Sequence, residues 1–140
     1  MRPTDIRARD ASVVFREVRL AQPFVISGRP IDVFTVAEVT LEVETRDGRR
    51  AHGHGQSVLS VPWAWPHGPA PVTERDRVLR DLVRRYAEEA LHAPAADPVE
   101  TWRLLTDGLD GVLATAAGPT GGAVPRLAGL LAVGAVDNAL

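Results

Sequence analysis

His52, His54 and Gln56 lie two apart in a stretch that reads as a strand, so their side chains share one face. Two imidazoles at that spacing begin a metal site. No third ligand is evident nearby, so the pair reads instead as polar side chains facing solvent or a partner domain. A cluster of arginines, Arg75, Arg77, Arg80, Arg84 and Arg85, has the charge to hold a phosphate or a nucleic acid. Glu74, Asp76, Asp81, Glu88 and Glu89 interleave with it, which points to a solvated helix face. Gly118 to Gly122 is glycine-rich but lacks the Gly-Lys-Ser/Thr of a phosphate loop. Trp63, Trp65 and Trp102 can stack on a sugar or an aromatic ring; core packing or contact with another domain is the expectation weighed above that.

Absent residue types exclude more chemistry than the present ones suggest. The sixteen basic residues are all arginine. A guanidinium stays protonated at any working pH, so neither a lysine base nor a Schiff base is available. There is no cysteine, hence no disulfide, no thiolate nucleophile and no Cys-ligated zinc. The net charge of −2 gives no basic surface for nucleic acid or an anionic membrane. Met1 to Asp10 is charged and has no apolar stretch of a secretion signal, and Leu127 to Val136 is too short to span a bilayer. A cytoplasmic location is expected.

The 140 residues, 45% apolar and 24% charged, suit one packed domain. Ser12 to Leu20 alternates as a strand, with Val14, Arg16 and Val18 on one side and Val13, Phe15 and Glu17 on the other. Gln22 to Pro30, bounded by Pro and Gly, is expected to be an unusually apolar loop. Val33 to Thr45 is the clearest strand: Val39, Leu41 and Val43 face one way, Val36, Glu38, Thr40, Glu42 and Glu44 the other. Asp47-Gly48 is a hairpin turn, and Arg49 to Ser57 returns as a third strand. Residues 58–72 form a Pro- and Trp-rich loop. Helices fill 73–140. Thr73 is the expected cap of the first, with Leu79, Leu82, Val83, Tyr86 and Ala90 at helical spacing. Asp97, Pro98 and Glu100 open the second, which carries Trp102, Leu105 and Leu109 on one stripe. Pro125 opens the last, through Leu127, Leu130, Leu131 and Ala135 to Leu140. That helix is apolar around much of its circumference and has no C-cap glycine, so it is expected to need cover from polypeptide beyond Leu140.

The fold class is therefore α+β: a sheet at about 11–57, a three-stranded antiparallel meander, followed by a helical bundle. This order resembles the N-terminal capping domain of the enolase superfamily, in its mandelate racemase and muconate lactonising branch. Val18 to Phe24 resembles the family's first strand running into its mobile loop. Val39 to Gly48 resembles its second strand and hairpin. Ala51-His52-Gly53-His54-Gly55 sits where the family usually has Gly-Trp-Gly-Glu, with His52 and His54 as departures. Leu131 to Leu140 resembles the helix leading into the family's barrel.

The resemblance implies a chain whose catalytic barrel is absent, and with it every catalytic residue. The full-length parent would be a magnesium-dependent racemase, epimerase, cycloisomerase or dehydratase that removes a proton next to a carboxylate. The 140 residues would be its lid, binding no metal themselves. One specificity loop would carry Phe24, Ile26 and Ser27, and a second would run through His54, Gln56, Ser57 and Val58. Its partners would be the missing barrel, a small carboxylate substrate and further copies in a homo-oligomer, with no nucleic acid and no membrane. The rival is a self-contained, non-enzymatic α+β binding or dimerisation module, whose last helix a second copy would cover. A shortened, inactive relative is the third possibility.

Overall fold

A computed structural model of the chain describes residues 2–26, 28–116 and 122–140. Branched and aromatic residues in two-residue alternation build three strands: β1 (Ile6–Ile26), β2 (Arg29–Thr45) and β3 (Arg50–Leu59). They form one antiparallel sheet in the order β1-β2-β3. β2 is central, and its alternation decides which face is covered. Thr35, Ala37, Val39, Leu41 and Val43 are buried, while Glu38, Thr40 and Glu42 line the other face. The two turns centre on Gly28 (φ +75°) and Gly48 (φ +79°), a left-handed backbone that glycine adopts without a Cβ clash.

The stretch Gln22 to Pro30 is not the expected loop. β1 continues through it, with Phe24, Val25 and Ile26 paired to Ile31, Pro30 and Arg29. Aromatic and branched side chains favour this extension. Pro23 is accommodated in a wide bulge, where Leu20 to Pro23 stand opposite Asp32 alone. The result is a long two-stranded arm that overhangs the end of β3.

Five helices follow: α1 (Val61–Ala64), α2 (Val72–His92), α3 (Pro98–Asp107), α4 (Leu109–Ala116) and α5 (Arg126–Asp137). α1 is one turn inside the Pro- and Trp-rich segment. α2 starts earlier than its expected Thr73 cap. Pro71 holds the cap position with φ −58° and ψ 155°, and no side chain caps the helix. α3 starts as its sequence indicates: the Asp97 carboxylate accepts from the Glu100 amide at 2.9 Å, with Pro98 in the first turn. The 118–121 part of the glycine-rich break lies outside the described residues.

The core lies between the inner sheet face and α2 with α5. Leu79, Leu82, Val83, Tyr86 and Ala90 of α2 and Ala132, Val133 and Val136 of α5 enclose Ala37, Val39 and Leu41. α2 packs on α5 and, of the strands, mainly on β1, while α5 also packs on β3. The approach of α5 is unusually close, and Gly53 and Gly55 permit it. A Cβ on Gly53 would sit 1.8 Å from the Ala139 carbonyl oxygen, and one on Gly55 2.1 Å from that of Ala135. Asn138 locks the contact, its Nδ2 donating to the Gln56 carbonyl at 3.2 Å.

This packing corrects the expectation that α5 needs cover from elsewhere. β3, β2, α2 and α4 already bury Ala128, Gly129, Ala132, Val133, Ala135 and Val136, with Leu109 and Leu113 of α4 against Gly129. Of its large apolar residues, Leu127 and Leu130 stay exposed, at 42% and 37%. Small residues explain the reading error: a helix of Ala and Gly lets several neighbours approach its backbone at once.

Candidate functional site

One end of the sheet gathers exposed apolar side chains that the core does not absorb. It is formed by the β1–β2 arm, the end of β3, and α1. Phe24 stacks on Phe34 with ring centroids 5.4 Å apart and planes tilted by 38°. Val18 stands opposite Phe34 across the strands, and Val36 opposite Val58. Phe24, Val25, Val58 and Trp63 remain 43%, 67%, 45% and 51% exposed.

Beneath the arm lies a cleft of about 360 Å3. The inner sheet face supplies Glu17, Val33 and Thr35; Leu59, Ser60, Val61 and Pro62 form a second wall, and Val72, Thr73 and Asp76 at the start of α2 a third. Its charges converge on Arg80, whose guanidinium holds Asp76 at 2.7 Å, donates to Thr35 Oγ1 at 3.0 Å and lies 3.9 Å from Glu17. Arg80 and Arg84 also lie over the Phe15 ring, at 5.4 and 4.8 Å, so α2 is fixed on β1. The Ser60 hydroxyl is buried with no hydrogen-bond partner among the described residues.

The loop after α1 is pinned by a buried cation. Arg75 is only 4% exposed, and its Nη1 donates to the Trp65 carbonyl. Its Nε has no partner, and burial, with Arg29 nearby, pulls its pKa down. The sequence placed Arg75 on a solvated face with Arg77, Arg80, Arg84 and Arg85. It belongs to the buried stripe instead, one turn before Leu79. That four-residue spacing is the signal that would have found it. The tryptophans divide: Trp65 is core at 2% exposure, while Trp63 and Trp102 are exposed.

The residues expected to line two loops are only partly brought together. Phe24 and Ile26 are on the arm, and Val58 reaches the same end from β3. Ser27 lies outside the described residues. His54, Gln56 and Ser57 are not on a loop, because β3 continues to Leu59. His54 and Gln56 stand in mid-sheet on the outer face, His54 Nδ1 3.1 Å from Thr40 Oγ1 and Gln56 Nε2 donating to Glu38 at 2.8 Å. Ser57 points to the opposite face. His52 lies 3.6 Å from Glu42. No group of three His, Asp or Glu able to hold a metal occurs among the described residues. Gly53 and Gly55 alternate with these histidines on the inner face. Their role went unread, although paired glycines two apart in a strand signal a close backbone approach.

No helix among the described residues is long and apolar enough to cross a membrane. No protein-family model matches the chain, and no curated protein matches it. Solved structures do. Dipeptide epimerase from Enterococcus faecalis V583, complexed with Mg and the dipeptide L-Leu-L-Tyr, is 15% identical and matches 77% of this chain and 26% of its own at TM-score 0.51. L-Talarate dehydratase from Polaromonas sp. JS666, complexed with Mg and L-glucarate, is 20% identical over 96% of this chain and 30% of its own, at TM-score 0.50. A mandelate racemase/muconate lactonizing protein from Herpetosiphon aurantiacus is 24% identical over 95% and 32%, at a looser TM-score of 0.45. The chain thus spans less than a third of the length of each, and at these identities the likeness is one of fold. The fold is α+β, a three-stranded antiparallel sheet followed by helices, and the chain shares it with part of the dipeptide epimerase and part of the talarate dehydratase.

Proposed function

We propose that this chain is the substrate-selecting lid of a magnesium-dependent enzyme that abstracts a proton next to a carboxylate. The observation that carries the reading is the exposed apolar end built by Phe24, Val25, Val58 and Trp63, on a fold that matches 26% of the length of the dipeptide epimerase and 30% of that of the talarate dehydratase. In this reading a barrel beyond these residues supplies the bases and holds the magnesium, which offers electrophilic stabilisation of developing negative charge. The lid residues do other work. Phe24, packed on Phe34, and Ile26 and Val58 form an apolar wall over the substrate and keep water out. His54, Gln56 and Ser57 belong to the strand that carries this wall. The lid itself performs no chemistry.

The test uses the full-length protein that carries this chain. With magnesium present it should exchange the α-proton of a small carboxylate for deuterium. Phe24→Ala should change kcat/KM roughly tenfold, and unequally between substrates of different side-chain size. An equal kcat/KM for every accepted substrate, before and after the substitution, sinks the lid role.

The self-coverage of α5 favours a second reading, a self-contained binding or dimerisation module. The gene distinguishes the two. The lid reading requires roughly 200 further residues of alternating strand and helix after Leu140.

A further inference from the structure

We propose that the free edge of β1 pairs, antiparallel and two-fold, with the β1 edge of a second copy of this chain, about an axis at Val13. The proposal does not depend on the lid reading.

Among the described residues, β1 pairs along its length with β2, and on its other side only Ile6 meets a partner, Ala96. An unpaired edge offers a row of backbone donors and acceptors to another strand. Two irregularities bracket the usable length: the register shifts at Ala8/Asp10 and at Arg19/Phe24. Between them the chain reads Asp10-Ala11-Ser12-Val13-Val14-Phe15-Arg16-Glu17-Val18, with no proline or glycine to blunt it.

Charge specifies the partner and the register. In a pair related by a two-fold axis through Val13, Asp10 faces Arg16 of the second copy, and Arg16 faces its Asp10. Both side chains are exposed on the outer face of the sheet. Arg9, at the register shift, holds Glu44 instead and lies outside the pairing. Sliding one strand by a residue breaks both Asp10–Arg16 pairs, in one direction sets Asp10 against Glu17, and turns each side chain to the wrong face. Asp10 has no hydrogen bond or ion pair among the described residues. Arg16 holds Glu38 through one nitrogen and keeps other donors free. The shift at Ala8/Asp10 ends the pairing before Arg7 would meet Arg19.

Sedimentation equilibrium of the 140-residue chain over roughly 1–100 µM should show a dimer. Asp10→Arg alone, and Arg16→Asp alone, should each weaken association at least about tenfold, because each puts two like pairs across the axis. An equimolar mixture of the two variants should associate again, since all four positions are then opposite in sign. Circular dichroism melts of each variant show that it is folded, which matters for Arg16→Asp because it also loses Glu38. Three results overturn the proposal: a monomeric parent at the highest concentration, variants that associate as tightly as the parent, or a folded mixture that stays monomeric. Variants that still associate would assign the contact to another surface.

Discussion

Replacing Gly55 by alanine tests the packing of α5 on β3. The new methyl carbon would lie 2.1 Å from the Ala135 carbonyl oxygen and 2.7 Å from the Ala139 amide nitrogen. These are backbone atoms and cannot swing aside. Either α5 retreats by about 1 Å or the strand bends away. A gap of that size forfeits a quarter to a half of the dispersion energy at each contact of Ala132, Val133 and Val136. Overpacking of this kind costs about 1–3 kcal/mol, partly offset by about 0.5–1 kcal/mol from removing glycine's entropy in the unfolded chain. A net loss near 1 kcal/mol lowers Tm by roughly 3–5 °C in a domain of this size. Gly134→Ala in α5 is the matched control. Nothing lies within 4 Å of its added Cβ, so helix propensity should stabilise the protein by about 0.5–1 kcal/mol. Thermal unfolding followed by circular dichroism measures both. If Gly55→Ala melts within a degree of the parent, or above Gly134→Ala, the close approach does not hold α5 in place.

Two further outcomes follow from buried groups that lack partners. Tyr86 is fully buried, its hydroxyl is unpaired, and burial pushes its pKa up from 10.0 to about 12. The unfolded phenol ionises first, so stability holds below pH 10 and falls by on the order of 2 kcal/mol as pH climbs toward 12. Tyr86 is the chain's one tyrosine, and the chain has no lysine or cysteine, so Tyr86→Phe should remove most of that slope in urea melts at rising pH. Arg75→Met should leave stability within about 1 kcal/mol of the parent or raise it, because an apolar chain of similar length removes a buried charge with no acidic partner. A loss above about 2 kcal/mol in urea melts would mean that the guanidinium holds more than the Trp65 carbonyl.

The strands were legible because β2 alternates cleanly: Val39, Leu41 and Val43 against Glu38, Thr40 and Glu42 can face only one way in a sheet covered on one side. The α3 start was legible because Asp97, Pro98 and Glu100 each do a separate job there. The β1–β2 arm was not, since Pro23, Gly28 and Pro30 look like loop punctuation until β2 pairs across them. Arg75 was misread because charge dominated its helical spacing. The glycines of β3 were hidden by the histidines between them. In a single sequence, an inward glycine is silent about what approaches it, because the approaching backbone belongs to Ala135 and Ala139, eighty residues further on.

The case for a partner therefore rests on the arm, where the resemblance had already put Phe24 and Val58, and not on α5. α5 finds its cover within the domain, so its apolar circumference no longer argues for missing polypeptide. The unabsorbed apolar surface is elsewhere: Phe24, Val25, Val58 and Trp63 at the arm, and Val99, Trp102 and Leu104 on α3. The arm carries the stronger argument. An exposed valine or leucine on a surface helix is ordinary. A two-stranded arm that projects past its sheet, with two stacked phenylalanines at its base, loses contacts that a third strand would give it. Such an extension is marginal in water unless something lies against it. In the proposed reading that cover is the mouth of an active site, which is why Phe24 is the residue to change first.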